Sequence, residues 1–276
     1  MNDPSGQTHR NGSDQSIDGS IATDPRTQIL PFSIFVALLV LSKINLGYYG
    51  LLVSLAMALS ATVYLFNQKK TFRDILFYSS VEEDSWLQWF RRRFIYLWVI
   101  SFFLSCILIL SISVHLITTH LLILFILAIP QFTFPQVRSF FYGLLTLQLK
   151  IRSRNCIINT LSVITLGTTT LMLMIGAKYL ELMMFVERSV LPTSDSMATY
   201  VIEKVQHGIP LIQHLGRTLS MFELELLRAR ELSGGLMGDI ILIYYLLPST
   251  LAAFALPIIY AGIHHFFSKQ NNASAY

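Results

Sequence analysis

One long stretch of the chain, residues 94–135, contains no Asp, Glu, Lys or Arg. A helix of this length would be roughly 60 Å long, which is twice the hydrocarbon thickness of a typical bilayer. A helix in the core of a soluble protein seldom stays apolar on every face over such a distance. The stretch therefore predicts two membrane-spanning helices, and we expect the short turn between them near residues 113–120.

Further apolar runs predict membrane helices in the same way. Residues 29–66 carry a single charge, Lys43, beside a polar patch at residues 43–47, which indicates two helices joined by a tight turn. Residues 155–177 and 240–263 are uncharged, and the second run contains two prolines, which a membrane helix tolerates as kinks. The pattern predicts an all-α, polytopic transmembrane protein with five to six membrane segments.

The number of segments depends on residues 155–191, for which two interpretations stay open. If residues 155–177 cross once, the polar region 178–239 lies on the side opposite the other basic segments. If residues 155–191 instead form a kinked or re-entrant pair, broken near residues 167–170 (GTTT), the chain returns to the side of the membrane that carries the basic segments. Hydropathy alone does not distinguish these two arrangements.

The same pattern divides the chain into regions. Residues 1–28 are polar and rich in Ser, Gly, Asn, Asp and Thr, so we expect a disordered tail rather than a cleavable signal peptide. Residues 29–193 form the predicted transmembrane domain with its basic loops. Residues 194–235 form an amphipathic region, and residues 236–276 hold the final transmembrane helix and a short tail.

Composition and charge support this interpretation and orient the chain. Hydrophobic residues make up 53% of the sequence and charged residues 13%, against a usual charged fraction of about 25%. Lys and Arg concentrate in residues 67–93 and 136–154. The positive-inside rule therefore predicts a multi-pass protein of the cell (cytoplasmic or inner) membrane, with its N-terminus and both basic segments in the cytoplasm. The net charge of +4 reflects these loops and does not indicate a nucleic-acid partner.

The amphipathic region has the character of a surface helix. Apolar residues recur with helical spacing at Leu215, Leu219, Phe222 and Leu226, and charged residues occupy the other faces. Pro210 predicts a break from a shorter helix over residues 197–207, and a glycine pair at residues 234–235 predicts the end of the longer one. Two interpretations stay open for this helix, one that lies on the membrane surface and one that docks a soluble partner.

No set of residues in the sequence indicates catalysis. The chain lacks the H-E-x-x-H, G-x-S-x-G and phosphate-loop patterns, and its two cysteines have no disulfide or metal-ligand spacing. His115 and His120 are expected to be solvated residues of the external turn. Adjacent His264 and His265 diverge on a helix and do not chelate one ion together. We expect no enzymatic activity, no cofactor and no metal site.

Several short motifs occur in an order that resembles one transporter family. Residues 24–30 (DPRTQIL) lead directly into the first apolar run, residues 166–170 (LGTTT) contain paired threonines, and residues 191–192 (LP) follow. Residues 223–235 resemble the helix that carries an Ala-Arg-Gly signature. Together these features resemble the transmembrane T component of energy-coupling factor transporters, the family that includes cobalt-transport permeases, and the similarity covers roughly residues 22–262 in order.

The resemblance implies a coupling subunit that has no ATP site of its own. Members of this family join a membrane-embedded substrate-binding subunit to cytoplasmic ABC-type ATPases through helices that carry Ala-Arg-Gly motifs. The corresponding ATPase-facing patch here would consist of Arg217, Arg228, Ala229, Arg230, Ser233 and Gly234. This chain departs from the family in two places: Ser233 stands where the motif arginine precedes glycine, and residues 261–266 contain no second signature.

The sequence therefore predicts the transmembrane coupling subunit of an energy-coupling factor importer for a vitamin or a transition-metal cation. An alternative is a non-transporting membrane scaffold or assembly subunit without an ATPase partner. A third hypothesis is an integral-membrane enzyme that uses the Arg-rich residues 136–154 to hold an anionic lipid headgroup. In all three, the lipid bilayer is the surrounding medium.

Overall fold

The computed structural model describes residues 25–44, 48–80, 94–118, 121–145, 151–188, 201–202, 205, 210–233 and 249–267. Residues 1–24 of the predicted tail and the glycine pair at residues 234–235 lie outside these residues, whereas residues 25–28 of that predicted tail belong to α1. The helices are α1 (Pro25–Ile44), α2 (Tyr48–Ser80), α3 (Phe94–Thr118), α4 (Leu121–Phe132), α5 (Phe134–Leu145), α6 (Ile151–Arg188), α7 (Pro210–Ser233) and α8 (Ser249–Phe267).

Five helical stretches are long and apolar enough to cross a bilayer: Gly50–Arg73, Ile95–Leu116, Leu122–Leu145, Arg154–Ala177 and Ser249–Phe267. The shorter apolar helix Gln28–Ile44 packs with them, because Phe35 and Leu39 of α1 are buried in the common core. Helices suit this environment because each satisfies its backbone hydrogen bonds within the segment. The predicted all-α, polytopic membrane fold is confirmed.

The helix bounds agree with the first predicted turn and shorten the second, because residues 113–118 still belong to α3. α1 ends at Ile44 and α2 begins at Tyr48, whereas α3 ends at Thr118 and α4 begins at Leu121. Lys43 lies at the first of these turns, and its Nζ donates a hydrogen bond of 2.8 Å to the carbonyl oxygen of Leu116. A cation near the last turn of α3 is favourable because the carbonyl groups there have no partner within the helix. The two turns therefore lie at the same end of the bundle.

Of the two interpretations left open for residues 155–191, the one with a break near residues 167–170 is wrong, because α6 runs without interruption from Ile151 to Arg188. The threonine hydroxyls do not open the helix: Thr168 and Thr169 each donate to the carbonyl oxygen four residues earlier, at 2.9 Å. Gly167 instead permits close packing, since a Cβ at that position would lie 2.4 Å from the ring of Phe254 in α8. The re-entrant arrangement is therefore excluded.

The final apolar helix, α8, is the central helix of the bundle. It touches α1 through Phe35, α2 through Ser60, α5 through Phe134 and α6 through Gly167. Small residues make this approach possible, and those with buried positions are Ala252, Ala253, Ala255, Ala261 and Gly262. Membrane helices associate closely where small residues face each other, because lipid provides no hydrophobic force to hold them together.

Contacts along the helices fix their directions. The amides of Gln28 and Gln136 meet at 3.1 Å, and the thiol of Cys156 donates to the carbonyl oxygen of Gln68 at 3.8 Å. The start of α1, the later part of α2, α5 and the start of α6 therefore share one end, which also carries Lys69, Lys70, Arg73, Arg138 and Arg154. We call this the basic end.

α8 runs towards the basic end and α6 runs away from it. Phe254 packs against Gly167, well inside α6, whereas His264 packs against Phe134, one turn before Arg138. The chain therefore leaves the membrane-spanning part of α6, and later begins α8, at the end opposite the basic one. Counting α4 and α5 as one interrupted span, the described residues contain six bundle helices.

Candidate functional site

The membrane span Leu122–Leu145 is interrupted near its middle. Pro130 and Pro135 lack backbone N–H groups, so each deletes one hydrogen bond of a continuous helix. Thr133 closes the gap, since its backbone N and its Oγ1 both donate to the carbonyl oxygen of Pro130, at 3.1 and 2.7 Å. The backbone N of Val137 then donates to the carbonyl oxygen of Thr133 at 2.9 Å, and α5 proceeds from there.

Gln131 lies in this interruption and faces the core. It is fully buried, as is Thr170 of α6, and its Nε2 donates to Thr170 Oγ1 at 2.8 Å and to the carbonyl oxygen of Leu127 at 3.3 Å. Its Oε1 is buried and has no hydrogen-bond partner among the described residues. A polar group in a membrane interior without a partner is costly, and such residues commonly mark a functional position.

A second buried oxygen lies on the neighbouring helix. Tyr260 of α8 is fully buried, and its hydroxyl has no partner within the described part of the chain. Its ring is surrounded by the rings of Phe35, Phe134 and Phe32, with centroid separations of 5.4, 6.0 and 6.3 Å. Phe134 lies one turn after Gln131. Gln131 and Thr170 are bonded to each other, and Tyr260 is linked to them through the packing of Phe134. We call these three residues the polar centre.

The polar centre offers hydrogen bonding rather than acid–base chemistry. Its members are an amide, an aliphatic hydroxyl and a phenol, none of which carries a charge near neutral pH. Within the residues that the structure describes, no group of three or more His, Cys, Asp and Glu residues is arranged to hold a metal ion. An interrupted helix with incompletely bonded polar groups beside it is suited to a hinge.

The hydrogen bond between Gln131 and Thr170 can be tested by substitution. Thr170→Val is expected to lower the free energy of unfolding by about 0.5–1.5 kcal/mol, because it leaves Gln131 Nε2 with only its longer bond. Gln131→Leu combined with Thr170→Val is expected to be near neutral, because it removes both polar partners and the unsatisfied Oε1 together. Thermal unfolding in detergent checks both. A double variant much less stable than Thr170→Val would contradict this account.

The surface helix α7 packs against α3. The buried positions are Gly216, Ser220 and Leu224, whereas Phe222 of the predicted apolar stripe is 46% exposed. The buried face is therefore offset from the apolar stripe, of which Leu215 and Leu219 are half-buried. Small side chains at Gly216 and Ser220 permit closer approach of two helices than the larger apolar residues do. The exposed side chain of Phe222 remains accessible to lipid or to a partner protein.

The predicted ATPase-facing residues lie mostly on the last turns of α7. Arg217 is exposed, and its Nη2 donates to the carbonyl oxygen of Val205 at 3.3 Å. Arg228, Ala229, Arg230 and Ser233 belong to the helix, but their side chains lie outside the described residues, as does the whole of Gly234. α7 ends at Ser233, the residue before the glycine pair, as predicted.

Sequence reasoning missed the polar centre and misplaced one histidine. The signal for the centre was Gln131 between two prolines in an otherwise uncharged run. His115 was expected to be a solvated turn residue, but it is 4% exposed. α3 continues to Thr118, so His115 lies within a packed helix rather than in the turn.

The fold and its buried polar centre define a polytopic, all-α membrane protein with a peripheral amphipathic helix. No protein-family model, no curated protein and no solved structure matches this chain.

Proposed function

We propose that this protein is a non-catalytic, multi-pass membrane subunit that acts through a partner protein docked on α7. The observation that carries the proposal is the way in which α7 is attached to the bundle. Its buried face is narrow and built on Gly216 and Ser220, which leaves Phe222, Arg217 and Glu225 exposed. An exposed aromatic residue flanked by charges of both signs is typical of a protein-binding helix.

The particular form that the sequence favours is the coupling subunit of an energy-coupling factor importer in the cell membrane. In this form α7 binds ABC-type ATPase subunits, and the bundle transmits their motion to a membrane subunit that binds a vitamin or a transition-metal cation. The arginine pair Arg228 and Arg230 supplies the charge for the ATPase contact. The interrupted span at Gln131 supports this form, because a hinge within the bundle gives a docking event a way to move the membrane helices.

A second candidate is a scaffold or assembly subunit without an ATPase partner, and one observation favours it. The membrane-spanning part of α6 ends, and α8 begins, at the end opposite Arg138 and Arg154. If the positive-inside rule holds, α7 is then joined to the bundle at the external side, where cytoplasmic ATPases have no access. The partner of the scaffold would be an external protein or the external part of another membrane subunit.

The side of the membrane on which α7 lies separates the two forms. We suggest the exposed position His214 for a single cysteine, in a background where Cys106 and Cys156 are replaced by serine. The importer form predicts that a membrane-impermeant maleimide labels His214→Cys only in inside-out vesicles. The scaffold form predicts labelling in intact cells. A cysteine at exposed Lys70 of the basic end serves as the cytoplasmic reference.

Co-purification tests the partner itself. The importer form predicts that an ABC-type ATPase is captured in mild detergent and lost in the Arg228→Ala, Arg230→Ala double variant. Lys70→Ala, a charge removal on a different helix, is the matched control and is expected to retain the ATPase. Capture that is unchanged in the double variant would contradict the role of this arginine pair.

A further inference from the structure

The side chain of Gln131 is held by two hydrogen bonds that both use its Nε2 atom. Nε2 donates to Thr170 Oγ1 at 2.8 Å and to the carbonyl oxygen of Leu127 at 3.3 Å. Because a carbonyl oxygen can only accept, the Leu127 contact fixes which end of the amide is the donor. The other end, Oε1, is therefore an acceptor, and it is buried without a partner among the described residues.

The hydroxyl of Thr170 differs from the other hydroxyls of α6. Five of them donate to the carbonyl oxygen four residues earlier, at 2.8 or 2.9 Å: Thr160, Ser162, Thr165, Thr168 and Thr169. Within the described part of the chain, Thr170 Oγ1 has only the hydrogen bond that it accepts from Gln131. Thr170 is fully buried, so its hydroxyl proton has no acceptor among these residues and no access to bulk water.

This buried donor and the buried acceptor Oε1 lie close together. Covalent geometry places Oε1 of an amide about 2.3 Å from its Nε2. Nε2 of Gln131 lies 2.8 Å from Thr170 Oγ1, so Oε1 is no more than about 5 Å from that hydroxyl. One water molecule that makes two hydrogen bonds of about 2.8 Å spans up to about 5.5 Å. A single water molecule can therefore bridge the two groups.

The interruption of the span provides a further acceptor beside them. Pro130 has no N–H, so the carbonyl oxygen of Ile126 lacks the donor that a continuous helix would supply. The carbonyl groups of Ile126 and Leu127 are consecutive on α4, and the second of them already binds Gln131 Nε2. Membrane helices tolerate proline in part because ordered water satisfies the carbonyl groups that it frees.

We propose that one water molecule is bound between α4 and α6, where it accepts from the Thr170 hydroxyl and donates to Gln131 Oε1 and to the carbonyl oxygen of Ile126. One donor and two acceptors match the capacity of a single water molecule, and buried waters typically make about three such bonds. A metal cation fits less well. It cannot accept the Thr170 proton, and neither side chain carries a charge to compensate for its own.

The water adds a physical basis to the hinge at the interrupted span. Water inserted into the hydrogen-bond ladder is one of the recognised causes of a bend in a helix. The bound water would therefore hold the interruption open together with the two prolines, and it would join α4 to α6 beside the direct bond between Gln131 and Thr170. This inference does not depend on which partner binds α7.

A structure of the full chain in a lipid nanodisc, at a resolution that shows ordered water, tests the site directly. A density peak within hydrogen-bond distance of Gln131 Oε1 and Thr170 Oγ1 is expected. Thr170→Val removes the hydroxyl with little change in shape and is expected to abolish the peak, whereas Thr170→Ser is expected to keep it. Thr169→Val is the matched control and is expected to keep the peak, because the exposed Thr169 hydroxyl bonds within its own helix.

Thermal unfolding in one detergent distinguishes water from a bound cation. The Tm is expected to be equal in sodium chloride and in choline chloride of the same ionic strength. Thr170→Val is expected to lower the Tm by about 1–6 °C in both salts, and Thr169→Val to leave it unchanged. A Tm that rises only with sodium would identify a cation site and overturn the proposal.

Two structural outcomes would also overturn the proposal. The first is a wild-type structure without the density peak, which would show that the site is dry. The second is a peak that persists in Thr170→Val, which would show that the hydroxyl is not a partner. If Thr170→Val does not fold, the variant with both Gln131→Leu and Thr170→Val replaces it, and this variant is likewise expected to lose the peak.

Discussion

Gly262→Ala is expected to destabilise the bundle strongly although it adds a single methyl group. A Cβ at Gly262 would lie 1.9 Å from the backbone carbonyl oxygen of Ser60. A backbone atom in a packed helix cannot swing aside as a side chain can, so α2 and α8 must move apart. Overpacking of this kind costs about 1–3 kcal/mol, which corresponds to a fall in Tm of about 2–12 °C.

Gly176→Ala is the matched control for this prediction. Gly176 lies in a membrane helix, α6, but apart from its own stretch of helix no atom of the described residues lies within 4 Å of the position its Cβ would occupy. Alanine is a better helix former than glycine, so this variant is expected to be neutral or slightly more stable. Thermal unfolding of both variants in the same detergent checks the pair. A Tm for Gly262→Ala equal to that of Gly176→Ala would show that α2 and α8 do not meet at Ser60.

Tyr260→Ala is expected to cause the largest loss of stability. Tyr260 is fully buried at the junction of α1, α5 and α8, where its ring packs against Phe35 and Phe134. Removing a buried aromatic ring costs about 3–5 kcal/mol, because the transfer free energy is lost and a cavity remains. The expected fall in Tm is about 6–20 °C. Low yield of folded protein would be the first sign.

Tyr260→Phe keeps the ring and removes only the hydroxyl, so it measures the contribution of the hydroxyl to stability. The hydroxyl has no hydrogen-bond partner among the described residues, so its removal is expected to leave the free energy of unfolding unchanged or to raise it by up to about 1 kcal/mol. A loss of stability comparable to that of Tyr260→Ala would mean that the hydroxyl is bonded in the membrane. If the Tyr260→Phe protein is stable but its function is impaired, the hydroxyl is required for that function and not for folding.

These substitutions bear on function because α8 is central. Every helix that α8 contacts, including α5 beyond the interruption at Gln131, must adjust if α8 shifts.

The spacing of charges along the chain determined most of the helices. The uncharged runs located α3, α4 and α6, and a polar patch located the boundary between α1 and α2. The boundary between α3 and α4 was predicted less closely, because α3 extends to Thr118. The physical reason is local: a bilayer admits only segments whose own backbone is satisfied and whose side chains are apolar, and both properties can be read from neighbouring residues. The end of α7 before its glycine pair was predictable for a similar local reason.

Only the tertiary structure decided how the helices pack and which positions matter. Composition did not reveal that α8 is central, that α7 packs through Gly216 and Ser220, or that Gln131 meets Thr170. Lipid-facing and core-facing surfaces of a membrane helix are both apolar, so sequence periodicity does not distinguish them. The continuity of α6 through residues 167–170 was also visible only in the structure. Gly167 allows Phe254 to pack closely against α6, and the helix is not broken there.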